Sequence, residues 1–204
     1  MEKIRAEKQR LFEEGKLKKK DLVETEIVKG DDNAYYEKLP KGWITQNLQN
    51  VAYIQMGQSP KGLMVTSAQI SGSIEFHQGK KDFGDYSLNK SNKWTTQITK
   101  IVNNPAILMS VRAPVGDVNM LLDKIVVIGR GLASIQPYIS LHSYFYYLLS
   151  IKKQELESQA TGTTFKAINN KILQETIIPI APQAEQVRIV SAIEEINLQL
   201  HQLD

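Results

Sequence analysis

The sequence contains no cysteine. This absence excludes disulfides, thiolate-bound zinc and cysteine nucleophiles, and it is typical of a reducing compartment. Only three histidines occur, and none has a second ligand residue at the spacing of a metal motif. No apolar run reaches about 18 residues, and residues 1–8 lack the apolar part of a signal peptide. We therefore expect a cytoplasmic protein without a membrane span or a metal site.

Motifs for catalysis are also missing. Ser59 lacks the glycine two residues later that a nucleophile elbow requires. The Gly-Arg-Gly turn at 129–131 is not followed by the helix of a phosphate-binding loop. No acid–base pair is evident among four scattered aspartates, Asp82, Asp85, Asp117 and Asp123. We predict no catalytic residue in this chain, and a hydrolase assembled from distant acids stays the alternative.

The overall composition is typical of a globular domain. The chain has 204 residues, of which 42% are hydrophobic and 23% are charged, so one sizeable core can form. The formal net charge is +3, and residues 53–112 hold seven basic and three acidic side chains. Those residues are rich in turn formers, and basic loops can face phosphates. A solvated surface explains the charge equally well.

Hydrophobic periodicity predicts an α+β fold. Residues 1–14 have helical spacing and end at Gly15, whereas residues 43–56 and 94–135 hold β-type runs separated by turn residues. Strands are predicted over 94–102, 106–111 and 177–180, and a second helix over 141–159. Asn169 or Asn170 is a candidate cap for a short helix. These elements predict one globular domain at 39–181, preceded by a helix end and connector at 1–38 and followed by a helix at 182–204.

The two terminal helices have apolar stripes that suit helix pairing. In the last helix, Ile189, Ile193, Ile196 and Leu200 alternate spacings of four and three, and Ile4 and Leu11 lie on the first. We predict that the helices pair antiparallel and dock neighbouring chains, with packing on their own domain as the alternative. The first helix has no start signal and the last has no stop signal, so we expect a piece of something longer.

For the histidines and for the aromatic run 144–147, a binding role competes with a structural one. His77 lies beside Gln78 and Lys80, where it can touch a ligand, whereas His142 is expected to be structural. The aromatic run 144–147 can stack on bases, but its position in a helix favours a role in the core.

Four stretches occur in an order that resembles one protein family, the specificity subunit of type I restriction-modification systems. The first is residues 30–43 with Gly30-Asp31-Asp32-Asn33 and Leu39-Pro40-Lys41-Gly42-Trp43, and the second is residues 74–84 after the turn Gly57-Gln58-Ser59-Pro60. The third is residues 107–117 with Arg112-Ala113-Pro114. The fourth is Thr161-Gly162-Thr163-Thr164-Phe165-Lys166 followed by residues 178–182 and 184–190. Each stretch alone is a weak signal, and the order and spacing make the similarity specific.

The resemblance implies that DNA recognition, methylation and cleavage belong to different subunits. Members of the family usually have two target recognition domains, separated by two long antiparallel helices, that bind the two halves of a split site in duplex DNA. Methylation belongs to a modification subunit that uses S-adenosylmethionine, and cleavage belongs to a motor subunit that uses ATP and Mg²⁺. The implied partners are therefore duplex DNA, both of those subunits and a second copy of this chain, with no cofactor bound here.

This chain departs from the family pattern, because it has one recognition domain and two short helices. A natural half subunit, a recombination cassette and an excised fragment all fit that departure. A specificity module of a fused type II restriction-methylation system stays open, as does a protein-interaction module that binds no DNA.

The resemblance places DNA-binding residues in the polar loops. Glutamine can pair with adenine and arginine with guanine in the major groove, whereas lysine and hydroxyl groups suit phosphates. The candidates for bases are Gln58, Gln78 and Arg112, and those for phosphates are Ser59, Lys80, Lys81, Thr163, Thr164 and Lys166.

Structural roles are the alternatives for three of these positions. Arg112 can form a buried ion pair, Gln58 can fill a turn, and 161–164 can end a helix. Because bases differ between family members, base selection can also lie in the less recognisable residues 63–73 and 86–96.

Overall fold

The computed structural model describes residues 1–26, 39–162 and 166–202. Its helices are α1 (Glu2–Glu13), α2 (Leu48–Val51), α3 (His142–Ile151), α4 (Lys153–Gln159), α5 (Asn170–Glu175) and α6 (Gln183–His201). Its strands are β1 (Ile44–Asn47), β2 (Ala52–Met56), β3 (Val65–Thr66), β4 (Ile74–His77), β5 (Trp94–Thr95), β6 (Ile101–Val102), β7 (Ala106–Ser110), β8 (Val118–Leu121), β9 (Val126–Ile128), β10 (Leu132–Pro137) and β11 (Ile177–Ile180). The predicted α+β class is confirmed.

The strands form three sheets. A four-stranded antiparallel sheet has the order β2-β10-β7-β8, and a five-stranded sheet has the order β3-β5-β4-β9-β6. The second sheet is mixed, because β4 and β9 run parallel while the other neighbours are antiparallel. Strands β1 and β11 pair antiparallel as a separate ribbon beside the helices.

Strand β7 separates two hydrophobic cores. Its side chains alternate between the two faces of the sheet, and all five of its residues are buried. Ile107 and Met109 pack in the larger core with Phe145 of helix α3, whereas Ala106 and Leu108 pack in a smaller core with β9 of the other sheet. This double burial explains why residues 106–109 form an uninterrupted apolar run. The molecule is therefore layered as helices, sheet and second sheet.

The predicted helix over 141–159 is confirmed in position but is divided at Lys152 into α3 and α4. Tyr144 and Phe145 are buried, and Tyr146 packs edge-on against Tyr86 at a ring-centre distance of 4.6 Å. The aromatic run 144–147 therefore belongs to the core and its rim, as its helical position favours. Asn169 caps α5, since its side chain accepts a hydrogen bond from the N–H of Ile172.

One predicted strand is wrong. Residues 94–102 form two short strands, β5 and β6, which lie on opposite sides of the same sheet. The chain turns between them because the hydroxyl of Thr95 accepts a hydrogen bond from the N–H of Gln97. Such local side-chain bonds compete with the strand ladder.

Both flanking helices are present, and they meet at their first turns. Residues 1–4 at the start of α1 line the same groove as Pro182, Gln183 and Gln186 at the start of α6. Helix α6 then packs on α3, whereas α1 packs on a 3₁₀ turn at Lys19–Leu22 and beside Tyr138. The first turns of the two helices are therefore close to each other, and their antiparallel pairing stays a prediction. In the described part of the chain, no helix has the length and apolar character to cross a membrane.

Candidate nucleic-acid interface

Three turns that are distant in sequence meet at one end of the two sheets. They are residues 57–60 after β2, residues 78–81 after β4, and residues 129–131 between β9 and β10. Backbone hydrogen bonds join them: the N–H of Gln58 donates to the carbonyl of Ile128, and the N–H of Gly131 donates to that of Gln78. We call this arrangement the three-turn junction.

Glycine allows the turns of the junction to approach one another closely. A Cβ atom on Gly57 would lie 2.1 Å from the carbonyl oxygen of Gly129, and one on Gly131 would lie 2.6 Å from that of Gln78. Both neighbours are backbone atoms, which cannot rotate away. The glycines at 57 and 131 are therefore required by packing at this junction.

Ser59 connects the side chains of the junction. Its hydroxyl donates to the Oε1 atom of Gln78 at 2.8 Å and accepts from the backbone N–H of Arg130 at 3.2 Å. Ser59 therefore uses its hydroxyl within the protein, where it orients Gln78 and Arg130. The side chains of Gln58, Gln78 and Arg130 are exposed, so the junction presents amide and guanidinium donors to solvent.

Arg130 is a residue that the sequence reasoning missed. The sequence excludes a phosphate-binding loop at the Gly-Arg-Gly turn, because no helix follows it, and it predicts no other role for Arg130. An arginine between two glycines at a turn was nevertheless a signal, because close packing of the glycines leaves the arginine on the surface.

A second group of cations lies beside the junction. The N–H of Val111 donates to the carbonyl of Gly131, so the end of β7 is attached to the same turn. Arg112 follows and is exposed, which makes the alternative of a buried ion pair wrong. The N–H of Ala113 donates to the carbonyl of Lys166, whose side chain is also exposed. The candidates Thr163 and Thr164 lie outside the described residues.

The two predicted lysines of the junction differ in their surroundings. Lys80 forms an ion pair with Asp117, whose other carboxylate oxygen accepts from Lys153 at 2.8 Å. Burial by itself would raise the pKa of Asp117, but the hydrogen bonds and charges of Lys153 and Lys80 lower it. Lys81 is exposed. Among the described residues, no carboxylate forms an ion pair with Lys81, Arg112, Arg130 or Lys166.

A buried polar cluster around His77 supports the adjacent turn at residues 78–81. His77 is fully buried, with its Nε2 atom 2.9 Å from Glu75 and its Nδ1 atom 3.2 Å from Asp82. The same Glu75 oxygen accepts from the N–H of Ser91 at 2.7 Å and from Lys124 at 2.9 Å. The interpretation of His77 as a ligand contact is therefore wrong, because strand β4 directs it into the interior.

The buried cluster makes the stability of the protein depend on pH. Burial lowers the pKa of His77 below its ordinary value of 6.5, and this outweighs the attraction of Glu75 and Asp82. The unfolded chain then binds the proton more readily, so the stabilisation present above 6.5 is lost as pH falls toward the lower pKa of the folded state. We expect the melting temperature to fall between about pH 7 and about pH 5.

Variants of the histidines check this prediction. His77→Gln should be less stable than the wild type at neutral pH but should show a flatter pH profile. Part of the slope should remain, because burial also lowers the pKa of His142. His201→Gln changes an exposed side chain on α6 and serves as the control. A His77→Gln profile parallel to that of the wild type would contradict the assignment.

The predicted partner-helix residues divide into two groups. Ile4 is 3% exposed and packs in the chain's own core, so it is not available to a partner, and Leu11 is half-buried. On α6, Ile189 and Ile193 are half-buried, whereas Ile196 and Leu200 are each 56% exposed. The apolar stripe of α6 therefore continues beyond the part that the domain covers.

Comparison with known proteins gives one consistent result. The family model described as "Type I restriction modification DNA specificity domain" matches residues 40–202. A type I restriction enzyme MjaX specificity subunit of Methanocaldococcus jannaschii is 35% identical over 193 residues, which cover 92% of this chain and 42% of that protein. The chain thus spans less than half the length of that curated relative.

Solved structures agree with the sequence match. The HsdS subunit from Thermoanaerobacter tengcongensis superposes with a TM-score of 0.71 at 36% identity, over 81% of this chain and 40% of that one. A chain from a study of complex assembly and conformational transition of the type I R-M system gives 0.73 at 33% identity, over 99% of this chain and 48% of that one. The match to the family model spans most of the sequence, and the chain therefore belongs to the family of type I restriction-modification DNA specificity domains.

Proposed function

We propose that this chain recognises duplex DNA sequence-specifically, as about half of the specificity subunit of a type I restriction-modification complex. The observation that supports this most is the three-turn junction, which gathers exposed amide and guanidinium donors and unpaired cations on one face of the domain. Such donors match the hydrogen-bonding edges of bases, and the cations match phosphates.

The proposed roles follow from the chemistry of each side chain. Arg130 and Arg112 offer two parallel donors, which suits the O6 and N7 acceptors of guanine, and Gln58 and Gln78 suit adenine. Lys81 and Lys166 suit phosphates, because their ammonium groups are exposed and free of carboxylates. Lys80 contributes less, since Asp117 already offsets its charge. These roles extend the predicted set by one residue, Arg130.

The domain acts without catalysing a reaction in this proposal. It positions a modification subunit, which methylates adenine with S-adenosylmethionine, and a motor subunit, which cleaves DNA with ATP and Mg²⁺. The exposed half of the α6 stripe, with Ile196 and Leu200, supports docking to another helix. That helix belongs to the same subunit or to a second copy of this chain.

The lysines of the junction provide the first test. Replacing Lys80 and Lys81 together by Ala should weaken binding to every duplex and reduce the slope of log affinity against log salt by about one to two units, since each phosphate contact contributes about 0.9. Fluorescence titration of a labelled random-sequence duplex at several salt concentrations measures the slope. Lys81 should account for most of the change.

A matched pair of surface lysines serves as the control. Lys19 and Lys20 are exposed on the 3₁₀ turn beside α1, and their double Ala variant should keep the wild-type slope. An unchanged slope in the Lys80 and Lys81 variant would remove those residues from the interface. Absence of binding by the wild type at low salt would favour a protein-interaction module.

A further inference from the structure

An unusual apolar tip lies next to the three-turn junction. The chain leaves the turn at 57–60 and forms a 3₁₀ turn at Gly62–Met64, in which Leu63 is 98% exposed. Met64 is 42% exposed, and Ile98 on the facing loop is 55% exposed. We call Leu63, Met64 and Ile98 the apolar tip. Leu63 thus has almost no contact with the protein that bears it.

The tip is held firmly against the junction rather than lying on a free loop. The backbone N–H of Lys61 donates to the Oε1 atom of Gln97 at 2.8 Å, and the hydroxyl of Thr99 donates to the carbonyl of Gln58. The following residues continue into β3, where Val65 and Thr66 pair with β5. These bonds fix the position of Leu63 relative to Gln58 and therefore relative to the proposed base contacts.

The charge around the tip is of one sign. Residues 57–73 and 93–104, which form the tip and its supporting loops, contain Lys61, Lys93 and Lys100 but no aspartate or glutamate. An apolar residue on loops that contain cations but no acids is complementary to a polyanion that also offers an apolar interior. Duplex DNA has both properties, because its phosphates surround stacked bases.

From this geometry we infer that Leu63 is a wedge that inserts between two base pairs of the bound duplex. Leucine is among the side chains that other proteins insert at base steps, where they unstack the step and kink the duplex by roughly 20–90°. This inference rests on the proposed function, since it needs the junction to lie on DNA. The wedge would deform the DNA site. Sequences with flexible base steps at the point of insertion would then be preferred, because they are less costly to deform.

Affinity alone is a poor test of the wedge. Burying leucine favours binding, but unstacking a base step costs a similar amount, so the two effects largely cancel. We therefore expect Leu63→Ala to change affinity by less than roughly fivefold. The distortion of the duplex, in contrast, should be lost completely.

The experiment uses the purified chain and a duplex that carries the motif found by methylome sequencing. The adenine analogue 2-aminopurine is placed at successive positions, and dyes at the two ends report bending by energy transfer. The wild type should increase 2-aminopurine fluorescence at one step and shorten the end-to-end distance. Leu63→Ala should abolish both signals while the duplex remains bound.

The control is Val23→Ala, because Val23 is 63% exposed and lines a pocket with Gln49 and Tyr53 that contains no residue of the tip. It should leave both signals at the wild-type level. Binding of the motif by the wild type without any distortion, or distortion that survives in Leu63→Ala, would overturn the wedge and leave the proposed function intact. Absence of motif binding by the wild type would overturn both.

One further result would redirect the assignment of the tip. If Leu63→Ala left the distortion unchanged but prevented co-elution with the methyltransferase subunit in gel filtration, the tip would be a protein-docking surface and the wedge would be excluded.

Discussion

Gly57→Ala is expected to lower the free energy of unfolding by roughly 3 kcal/mol, which is at the upper end of the usual cost of overpacking. The added methyl group would lie 2.1 Å from the carbonyl oxygen of Gly129, which is too close for any real contact. One of the turns must therefore move, and the bonds of Ser59 to Gln78 and Arg130 should break. Urea denaturation measures the loss of stability, and DNA titration measures the loss of binding.

Gly62→Ala is the matched control for this prediction. Gly62 begins the neighbouring 3₁₀ turn, and an added Cβ atom there would meet nothing within 4 Å. Its stability should stay within about 0.5 kcal/mol of the wild type, as is usual for surface substitutions. Equal stability of the two variants would show that the turns of the junction do not pack as described.

Arg130→Ala is expected to reduce discrimination at one base pair of the recognised site by roughly 1–3 kcal/mol, the usual contribution of a bidentate contact to a base. The guanidinium group is exposed, lies at the junction and has no carboxylate partner among the described residues. Titration with duplexes that carry each base substitution measures the effect. The folded state should be unaffected, because only the backbone of Arg130 bonds to Ser59.

Arg130→Lys separates charge from geometry. Lysine keeps the positive charge but lacks the planar pair of donors, so it should retain the salt dependence of binding and still lose most of the discrimination. Full discrimination by Arg130→Lys would mean that residue 130 contacts a phosphate. Full discrimination by Arg130→Ala would remove residue 130 from base recognition.

Much of the fold could be predicted because its signals are local. The helix after Pro182, the strand over 177–180 and the cap at Asn169 depend on neighbouring residues, and the structure has all three. The strand predicted over 94–102 failed because a hydroxyl bond from one side chain, Thr95, redirects the backbone. Hydrophobic periodicity cannot predict such a bond.

The site was harder to predict because its contacts are not local. Gln58, Gln78 and Arg130 meet only after two different sheets have formed, so their sequence spacing gives no hint of the junction. The family resemblance predicts roles for Gln58 and Gln78 but none for Arg130. His77 was misplaced because its strand is buried on both faces, and a buried histidine between two carboxylates has the same sequence pattern as an exposed one.

In the proposed function, this chain decides which DNA sequence is modified. Methylome sequencing of cells that express the chain with its modification subunit tests it directly. We expect a methylated adenine motif that disappears when the chain is removed and changes when another specificity chain replaces it. Methylation at the same sites after that replacement would contradict the claim.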